Sequence, residues 1–524
     1  MTVDAISLQV FRNLLVSVAE EMGVALARTS FSPNMKERLD FSCALFNPQG
    51  DMVAQAAHIP VHLGAMPASV QAALNRFDFG PGDLVILNDP YLGGTHLPDI
   101  TLVAPVFTSE GKTLAGFVSN RGHHADVGGM TPGSMPLSTE LYQEGFIIPP
   151  LKLARDGVLN EEVVELLCRN SRTPEERRGD LDAQIAACRT GERRLIAIVD
   201  KYGLANTWEH MSALLDYSER LTRARLSQIP DGRYTFRDFM DDDGIEDEPV
   251  PIQVAVTISG VSLTADFTGT SPQRPGCINA PLAISESAVL YVVRCITGED
   301  VPINQGCMRP ITVVAPERSL VNPEPPAGVA GGNVETSQRI VDVLLGALAQ
   351  AVPELIPAAS QGTMNNMIVG GHHHTTRKAY VYYETIGGGT GAGPDAGGES
   401  AIQSHMTNTR NTPIEAIEYQ FPLRLVRYAV RRGSGGRGQH QGGDGIIREV
   451  LFLAPATVTV MSERRRTGPY GLNGGGAGQT GETVLLKGGV EEVRLPPKLT
   501  IQVEEGDIIQ MLTPGGGGWG KPIV

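Results

Sequence analysis

Two clusters of polar residues, each placed directly after a strand-like apolar run, constrain the fold of this chain more than any other feature. The first cluster occupies Asn88–Asp99 and follows the run Asp83–Leu87, and the second occupies Arg121–Gly129 and follows Thr113–Ser119. Glycine-rich loops at strand ends are places where a rigid frame holds binding and catalytic residues. The sequence therefore predicts two neighbouring strands whose loops together form a functional site.

Histidines and carboxylates in these clusters have the donor chemistry of a metal site. His96 and Asp99 are three residues apart, and His123 or His124 of the second loop can supply a third ligand. Imidazole and carboxylate together suit Zn²⁺, Mn²⁺ or Fe²⁺, and Asp126 could orient a liganded ring. The alternative, two loops held together by hydrogen-bonded histidines, stays open on spacing alone.

Two histidine- or carboxylate-bearing segments elsewhere are weaker candidates. Asp40 precedes a strand-like run and is either a buried carboxylate paired with Arg38 or half of a surface ion pair of little energetic worth. His58 and His62 flank Pro60, which disfavours a helical metal pair and favours histidines that pack in the core or a loop.

Two glycine-flanked runs carry further polar residues. The triple histidine at 372–374 follows two glycines and is predicted to be an exposed turn. The glycine-rich run 387–398 is followed by His405, Asn408 and Arg410, which could contact a polar substrate if the backbone comes close to it. Tight turning without a ligand is the alternative.

Nucleotide-binding signatures are absent or misplaced. Three GxGxxG matches occur, beginning at Gly433, Gly476 and Gly515, but no predicted helix follows any of them. The motif binds a pyrophosphate only where a helix N-terminus follows it. No GxxxxGK[ST] loop is present either, so this chain is not expected to bind ATP through a loop of that kind.

Size and charge bound the class of protein. A chain of 524 residues is expected to form two to four domains. A net charge of −15 without a basic stripe disfavours nucleic acid as a partner. No apolar run reaches the ~20 residues of a membrane span, no signal peptide is seen, and six cysteines without a CxxC pair indicate reduced thiols, so a cytoplasmic location is expected.

Hydrophobic periodicity predicts a multidomain α+β protein with a helical insertion near 160–228 and a β-rich C-terminal part. We divide it into an N-terminal metal-site region (1–159), a helical region (160–231), a mixed α/β region (232–430) and a β-rich region (431–524). Residues 5–29 are predicted to be a helix, and 41–46 with 52–56 a hairpin. The acidic run Asp238–Glu248 is predicted to be a solvated loop.

A set of motifs is spread in order over the whole chain: Glu37–Ser42, His58–Pro67, Asn88–Asp99, His123–Gly129, Pro132–Pro136, His405–Thr409, Ser434–Gly436, Arg464–Thr467 and Thr513–Gly520. Together they resemble the hydantoinase B/oxoprolinase family. The resemblance implies the B-type subunit of an ATP-dependent hydantoinase, oxoprolinase or lactamase. In such an enzyme a hydantoinase A type subunit with an actin-like ATPase fold binds ATP and phosphorylates a small cyclic amide, and the two subunits form a hetero-oligomer such as α₂β₂.

The resemblance also implies roles for individual residues. It places His96, Asp99 and His123 as ligands of a divalent metal, with His124 as the competitor for the third position. Asp40, His124 and Asp126 become the catalytic candidates, with Asp40 and Asp126 transferring protons or supporting the ligands. The alternatives are a subunit of an ATP-dependent ketone carboxylase and a non-catalytic scaffold for the ATPase. Neither the substrate nor the identity of the metal follows from the sequence.

Overall fold

The structure is a computed structural model that describes residues 3–62, 64–298 and 301–522. Nine α-helices lie in these ranges: α1 (Ala5–Thr29), α2 (Pro33–Lys36), α3 (Ala65–Arg76), α4 (Glu161–Arg169), α5 (Pro174–Tyr202), α6 (Leu204–Leu226), α7 (Leu282–Thr297), α8 (Ser337–Leu348) and α9 (Ile414–Gln420). None of the helices described is long and apolar enough to traverse a bilayer.

The N-terminal part is built on a seven-stranded antiparallel sheet in the order β2-β1-β5-β4-β3-β6-β7. Its strands are β1 (Phe41–Phe46), β2 (Met52–Gln55), β3 (Leu84–Leu87), β4 (Asp99–Phe107), β5 (Leu114–His123), β6 (Leu151–Arg155) and β7 (Val158–Leu159). Side chains alternate between its faces. On β1, Cys43 and Leu45 share a core with α1 and α5, whereas Ala44 and Phe46 share one with α3. The sheet is therefore buried on both faces.

A second, four-stranded sheet follows the helical insertion. It contains β8 (Gly232–Met240), β9 (Val250–Ser259), β10 (Ser262–Asp266) and β11 (Ile311–Val314) in the order β11-β10-β9-β8. The pair β10–β11 is parallel and the other pairs are antiparallel. Apolar residues of α7 and α8 pack with this sheet in the largest core of the protein.

The C-terminal part consists of two antiparallel sheets that share one apolar core. The first has the order β13-β12-β16-β19 and contains β12 (Asn366–His372), β13 (Ala379–Thr385), β16 (Ala456–Met461) and β19 (Lys498–Val503). The second has the order β14-β15-β20-β17-β18 and contains β14 (Leu423–Arg431), β15 (Gly445–Phe452), β17 (Glu482–Lys487), β18 (Glu491–Leu495) and β20 (Ile508–Leu512). Both sheets combine strands from either side of residue 431.

The expected class is confirmed, because helices and strands are mixed in several sheets. The predicted N-terminal helix is α1, and the predicted hairpin is β1–β2. The predicted helical insertion near 160–228 contains α4, α5 and α6, and Gly203 between α5 and α6 adopts a φ of 86°. That left-handed conformation ends α5. Strand β12 was not predicted, and the four region boundaries stay predictions.

The acidic run 238–248 is the predicted solvated loop only in its second half, where residues 245–248 are exposed. Asp241, Asp242 and Asp243 are buried. Arg464 and Arg466 form ion pairs with Asp238 and Asp242. These basic partners lie more than 200 residues further along the chain. The acidic run by itself therefore shows the carboxylates without the arginines that pair with them.

Lys498 at the start of β19 is the buried ammonium of this cluster. It contacts the carboxylate of Glu463 and lies 3.3 Å from an oxygen of Asp242. Burial lowers the pKa of Lys498, but the carboxylates of Glu463, Asp242 and Asp241 together outweigh this effect and raise the pKa above its ordinary value. The ammonium is therefore charged in the folded protein.

Replacing Lys498 with methionine is expected to lower the free energy of unfolding by about 3–5 kcal/mol, because it leaves buried carboxylates uncompensated. Urea unfolding measures this loss. The matched control is Lys378→Met, which removes an exposed ion pair with Glu175 and is expected to change stability by less than about 1 kcal/mol. Equal effects of the two substitutions would contradict the interpretation of Lys498 as a buried counter-ion.

The glycine-rich runs pack against one another rather than against a nucleotide. We call segments 387–398, 433–443, 471–478 and 513–520 the glycine bundle. Their main chains are joined by hydrogen bonds such as Gly516 N to Gly443 O (2.9 Å), Ala392 N to Gly517 O (2.9 Å) and Gly518 N to Gly476 O (2.9 Å). None of the three GxGxxG matches leads into a described helix, as expected.

Candidate metal centre

Antiparallel pairing of β4 with β5 brings the two polar clusters together. Asp99, the first residue of β4, lies directly opposite His123, the last residue of β5. Residues that face each other across antiparallel strands have Cβ atoms about 5 Å apart. The predicted neighbouring strands are therefore observed, and their register alone places one residue of each cluster at the same point.

The loop before β4 is folded so that His96 reaches the same place. Asn88 fixes its two ends, because its amide donates to the carbonyl of Leu97 (2.7 Å) and its Oδ1 accepts from the amide of Ile148 (2.6 Å). Gly93 has a φ of 90°, and a Cβ there would lie 2.5 Å from the carbonyl oxygen of Ala68. A side chain at this position would thus strain the turn that carries His96.

His96, Asp99 and His123 form a compact, buried group. One potential ligand atom from each lies within 4.8 Å of the other two. Nε2 of His96 is 3.4 Å from Oδ1 of Asp99, and the rings of His96 and His123 meet edge to face with centroids 5.0 Å apart. The structure brings together the three residues that the sequence analysis placed as metal ligands.

The polar atoms of this group lack hydrogen-bond partners in the part of the chain that the structure describes. They are both ring nitrogens of His96, Oδ1 of Asp99 and Nε2 of His123. A buried polar atom without a partner costs about 1–3 kcal/mol. Two imidazoles and a carboxylate that converge in this way fit a divalent cation such as Zn²⁺, Mn²⁺ or Fe²⁺. A bound cation would satisfy one ring nitrogen of His96, Oδ1 of Asp99 and Nε2 of His123.

Charge in the group is set by burial and by the neighbouring rings. Burial opposes ionisation of Asp99, but the imidazoles of His96 and His62 hold its pKa well below the ordinary value. Burial, reinforced by His96, keeps the pKa of His123 well below the ordinary value. At neutral pH the group therefore offers a carboxylate and a neutral His123 ring, which are the forms that bind a metal.

A second layer of residues fixes the ring of His123. The Asn34 amide nitrogen lies 2.9 Å from both Nδ1 and the carbonyl oxygen of His123, while Arg38 donates to Oδ1 of Asn34. Tyr383 of β13 stacks on the ring with centroids 4.8 Å apart, and the Arg38 guanidinium lies 4.6 Å from the centre of the Tyr383 ring. These contacts leave Nε2 of His123 facing the cavity.

The tautomer of His123 follows from the same contacts. An amide nitrogen only donates, so Nδ1 of His123 accepts from Asn34. The proton of the neutral ring then sits on Nε2. A cation bound at Nε2 therefore requires the proton to move to Nδ1, which breaks the bond from Asn34 to that nitrogen and leaves the bond from Asn34 to the His123 carbonyl.

His124 does not belong to the group. Successive strand residues point to opposite faces, and His124 faces α5, where its Nε2 lies 2.9 Å from Oε1 of Gln184. Burial, helped by the nearby charge of Arg177, lowers the pKa of His124 to about 4. His123, and not His124, therefore lies beside His96 and Asp99, while the identity of the third ligand and the catalytic role of His124 stay predictions.

Asp126 is not at the centre either. Its carboxylate accepts hydrogen bonds from the main-chain amides of Gly128, Gly133 and Arg172 and pairs with the Arg172 guanidinium at 2.9 Å. With its oxygens occupied in this way, Asp126 fastens the loop after β5 to the segment before α5. The geometry does not support the role in proton transfer or ligand orientation that the sequence suggested.

Asp40 does face the centre. It lines a buried cavity of about 20 Å³ together with His62, Asp99 and His123. Burial raises its pKa, against the opposing charge of Arg38, whose guanidinium lies 3.9 Å away. Both residues are buried, so the surface ion pair considered as an alternative is excluded, and Asp40 is placed to exchange a proton inside the cavity.

Sequence reasoning missed His62. Its Nε2 lies 3.5 Å from Oδ2 of Asp99, and its Nδ1 lies 2.9 Å from Oγ of Ser42. The prediction of packing histidines is confirmed for His58, whose ring packs edge-on against Phe41, and for His62, which is buried, but it did not place His62 beside Asp99. The sequence signal for His62 was its position shortly after Pro60 in a short turn. Its contact with Asp99 could not be inferred, because the two residues are far apart in the sequence.

The later polar candidates lie around the cavity rather than in it. His405 lies 3.3 Å from the hydroxyl of Tyr291, Asn408 donates to the carbonyl of His58, and Arg410 is exposed. Their neighbours Met406, Thr407 and Thr409 line the cavity instead. His372 and His374 are exposed at the end of the β12–β13 hairpin, as predicted.

Comparison with known proteins places the whole chain in one group. Residues 4–522 match the hydantoinase B/oxoprolinase family. The chain is 42% identical over 549 residues to 5-oxoprolinase 1 of Arabidopsis thaliana, covering 99% of this chain but only 42% of that relative. It is 35% identical to a Pseudomonas protein named as the B component of a D-/L-hydantoinase, covering 99% of this chain and 90% of the relative.

Two solved structures share the fold. The ATP-dependent caprolactamase of Pseudomonas jessenii superposes with a TM-score of 0.91 at 29% identity, covering 99% of this chain and 92% of that one. An acetone carboxylase in its nucleotide-free form superposes with a TM-score of 0.89 at 19% identity, covering 99% of this chain and 76% of that one. At that identity the second likeness concerns the fold alone.

Proposed function

The chain belongs to the hydantoinase B/oxoprolinase family, and on this basis we propose that it is the B-type subunit of an ATP-dependent cyclic amidohydrolase. A partner ATPase of the hydantoinase A type phosphorylates the amide oxygen of a small cyclic substrate, and this chain opens the ring. The observation that carries the proposal is the buried group His96, Asp99 and His123, whose converging polar atoms have no partner among the described residues. The names of the caprolactamase and of the Pseudomonas hydantoinase component support it.

The reaction needs activation because amide resonance makes the carbonyl carbon a poor electrophile. Phosphorylation of the oxygen converts the amide to an imidate with a C=N bond. Addition of water forms a C–O bond at that carbon, and the π electrons of the C=N bond move to the ring nitrogen. Asp40, buried beside the three ligands, accepts the proton that the water loses and can return it to the ring nitrogen. The C–N bond of the tetrahedral carbon then breaks, which opens the ring and releases the nitrogen as an amine. A second water hydrolyses the remaining acyl phosphate to the carboxylate and inorganic phosphate.

The residues divide these tasks among themselves. His96, Asp99 and His123 would hold a divalent cation, which supplies Lewis acidity and acidifies water. Asn34, Arg38 and Tyr383 keep the His123 ring in place. The apolar side chains of Ile59, Val61, Met364 and Met406 in the cavity wall exclude bulk water.

Removal of the metal is expected to abolish ring opening. We expect a chelator to reduce ring opening of 5-oxoproline, hydantoin or caprolactam by the reconstituted complex with ATP more than about 100-fold. One of Zn²⁺, Mn²⁺ and Fe²⁺, added after the chelator is removed, should restore it. The assay is chromatography of the ring-opened amino acid, with metal content measured in the same samples. Full activity in metal-free protein would favour the scaffold interpretation.

The ketone carboxylase alternative predicts a different product. Its support is a likeness at 19% identity, which concerns the fold alone. Incubation of the complex with ATP and labelled bicarbonate separates the two. A ring-opened amino acid supports the amidohydrolase, and incorporation of label into a ketone substrate supports the carboxylase.

A further inference from the structure

Asn333 presents an unused carboxamide to the cavity of the metal centre. The residue is 3% exposed, and it lines the cavity together with Asp40, Asp99 and His123. Its Oδ1 has no hydrogen-bond partner within residues 3–62, 64–298 and 301–522. A buried amide in this state is destabilising by about 1–3 kcal/mol. The side-chain oxygen therefore makes no stabilising hydrogen bond that would explain why an asparagine is present at this position.

The main chain around Asn333 is fixed independently of its side chain. Residues Gly332–Thr336 form a single π-helical turn directly before α8, a geometry that is frequent at functional sites. The hydroxyl of Ser337 donates to the carbonyl of Asn333 at 2.7 Å, and Oε1 of Glu335 accepts from the amide of Met364 at 3.0 Å. A Cβ at Gly332 would lie 1.9 Å from the carbonyl oxygen of Asn279, so the turn is also tightly packed.

The size of the cavity limits what Asn333 can bind there. A volume of about 20 Å³ holds one water molecule. A water in such a place needs two to four polar partners, and Asn333, Asp40 and the hydroxyls of Thr407 and Thr409 line the same space. The carboxamide and the carboxylate of Asp40 are thus available to the same water.

We propose that Asn333 is a positioning residue that orients the attacking water in the ring-opening reaction; this inference rests on the proposed function. Oδ1 of Asn333 accepts one hydrogen of the water and Asp40 accepts the other. The water oxygen forms the new C–O bond to the imidate carbon, and its proton passes to Asp40 as the C=N electron pair moves to the ring nitrogen. The hydrogen held by Asn333 stays on the product oxygen.

Asn333→Leu tests this role because leucine has nearly the same shape and no polar atoms. Replacement of an unpaired buried amide by an apolar group leaves stability unchanged or raises it. We expect the melting temperature of Asn333→Leu to be equal to or higher than that of the unaltered protein, with the same metal content. In the complex with the ATPase partner, kcat for ring opening should fall about 100-fold, while KM stays within about twofold. Asn322→Leu, in a loop with a carbonyl partner at Ala315, is the control and should leave kcat unchanged.

The possible results separate this inference from the proposed function. Unchanged kcat in Asn333→Leu, together with loss of activity in His96→Ala, would overturn the role of Asn333 and leave the proposed function intact. Loss of metal from Asn333→Leu would also overturn it, because Asn333 would then act through the ligands. Ring opening that survives both Asn333→Leu and His96→Ala would reject the proposed function itself. Should leucine lower the melting temperature, Asn333→Ala provides the same kinetic test without added bulk.

Discussion

Asp99→Asn is expected to remove bound metal from the protein almost completely and to abolish ring opening with it. Asparagine has the size of aspartate and can still accept the hydrogen bond from the hydroxyl of Thr95, which is 2.6 Å long. What it lacks is the negative charge between His96 and His62. Changes of residues behind a metal ligand already lower metal affinity 10–100-fold, so loss of the charged ligand should lower it more than about 100-fold.

Titration calorimetry with Zn²⁺ and Mn²⁺ and elemental analysis of the purified variant measure this effect. Asp200→Asn is the control, because Asp200 is an exposed carboxylate that accepts hydrogen bonds from Ser109. It should bind metal like the unaltered protein. If Asp99→Asn bound one equivalent of metal with unchanged affinity, the cation would be held elsewhere, and the proposed function would lose its main support.

The position of the centre could be predicted from sequence because two local patterns determine it. Each cluster directly follows a strand, and antiparallel pairing places Asp99 opposite His123. The choice between His123 and His124 could not be made, since it depends on which side of the sheet each side chain points to at the end of β5. That is fixed by the register and twist of a seven-stranded sheet rather than by the residues themselves.

The rest of the centre could not be predicted because it comes from distant segments. Asn333 lies in a π-helical turn before α8, Tyr383 lies on β13, and Thr409 follows the glycine-rich run. No spacing rule connects these residues to Asp99. Asp126 shows the opposite case: it belongs to the second cluster in sequence, yet its carboxylate pairs with Arg172 and lies away from the centre.

The glycine-rich runs show the same limit. The three GxGxxG matches could be rejected as nucleotide-binding motifs because no predicted helix follows them, which is a local property of the sequence. What the glycines do instead depends on four segments that span residues 387–520 and meet in space. Small residues permit close approach of main-chain segments, but the sequence does not show which segments come together.

Gly391→Ala is expected to be among the most destabilising single substitutions in this protein. A Cβ at Gly391 would lie 1.7 Å from the carbonyl oxygen of Ala358 and 2.3 Å from its carbon. Both are main-chain atoms, so no side-chain rotation relieves the overlap, and the segment that carries Gly391 must move away from the segment that carries Ala358. We expect the free energy of unfolding to fall by about 5 kcal/mol or more, at the upper limit for a point substitution, or the protein not to accumulate in folded form.

Gly393→Ala provides a matched control two residues away in the same run. The nearest atom to a Cβ at Gly393 is 4.0 Å distant, and its φ is not in the left-handed region. Alanine there should be neutral or stabilise the protein by up to about 1 kcal/mol, because it restricts the unfolded chain. Denaturant unfolding of both variants measures the difference. Similar stabilities would mean that the main chains at Gly391 and Ala358 are not in close contact, whereas a large difference would show that this close packing requires glycine at position 391.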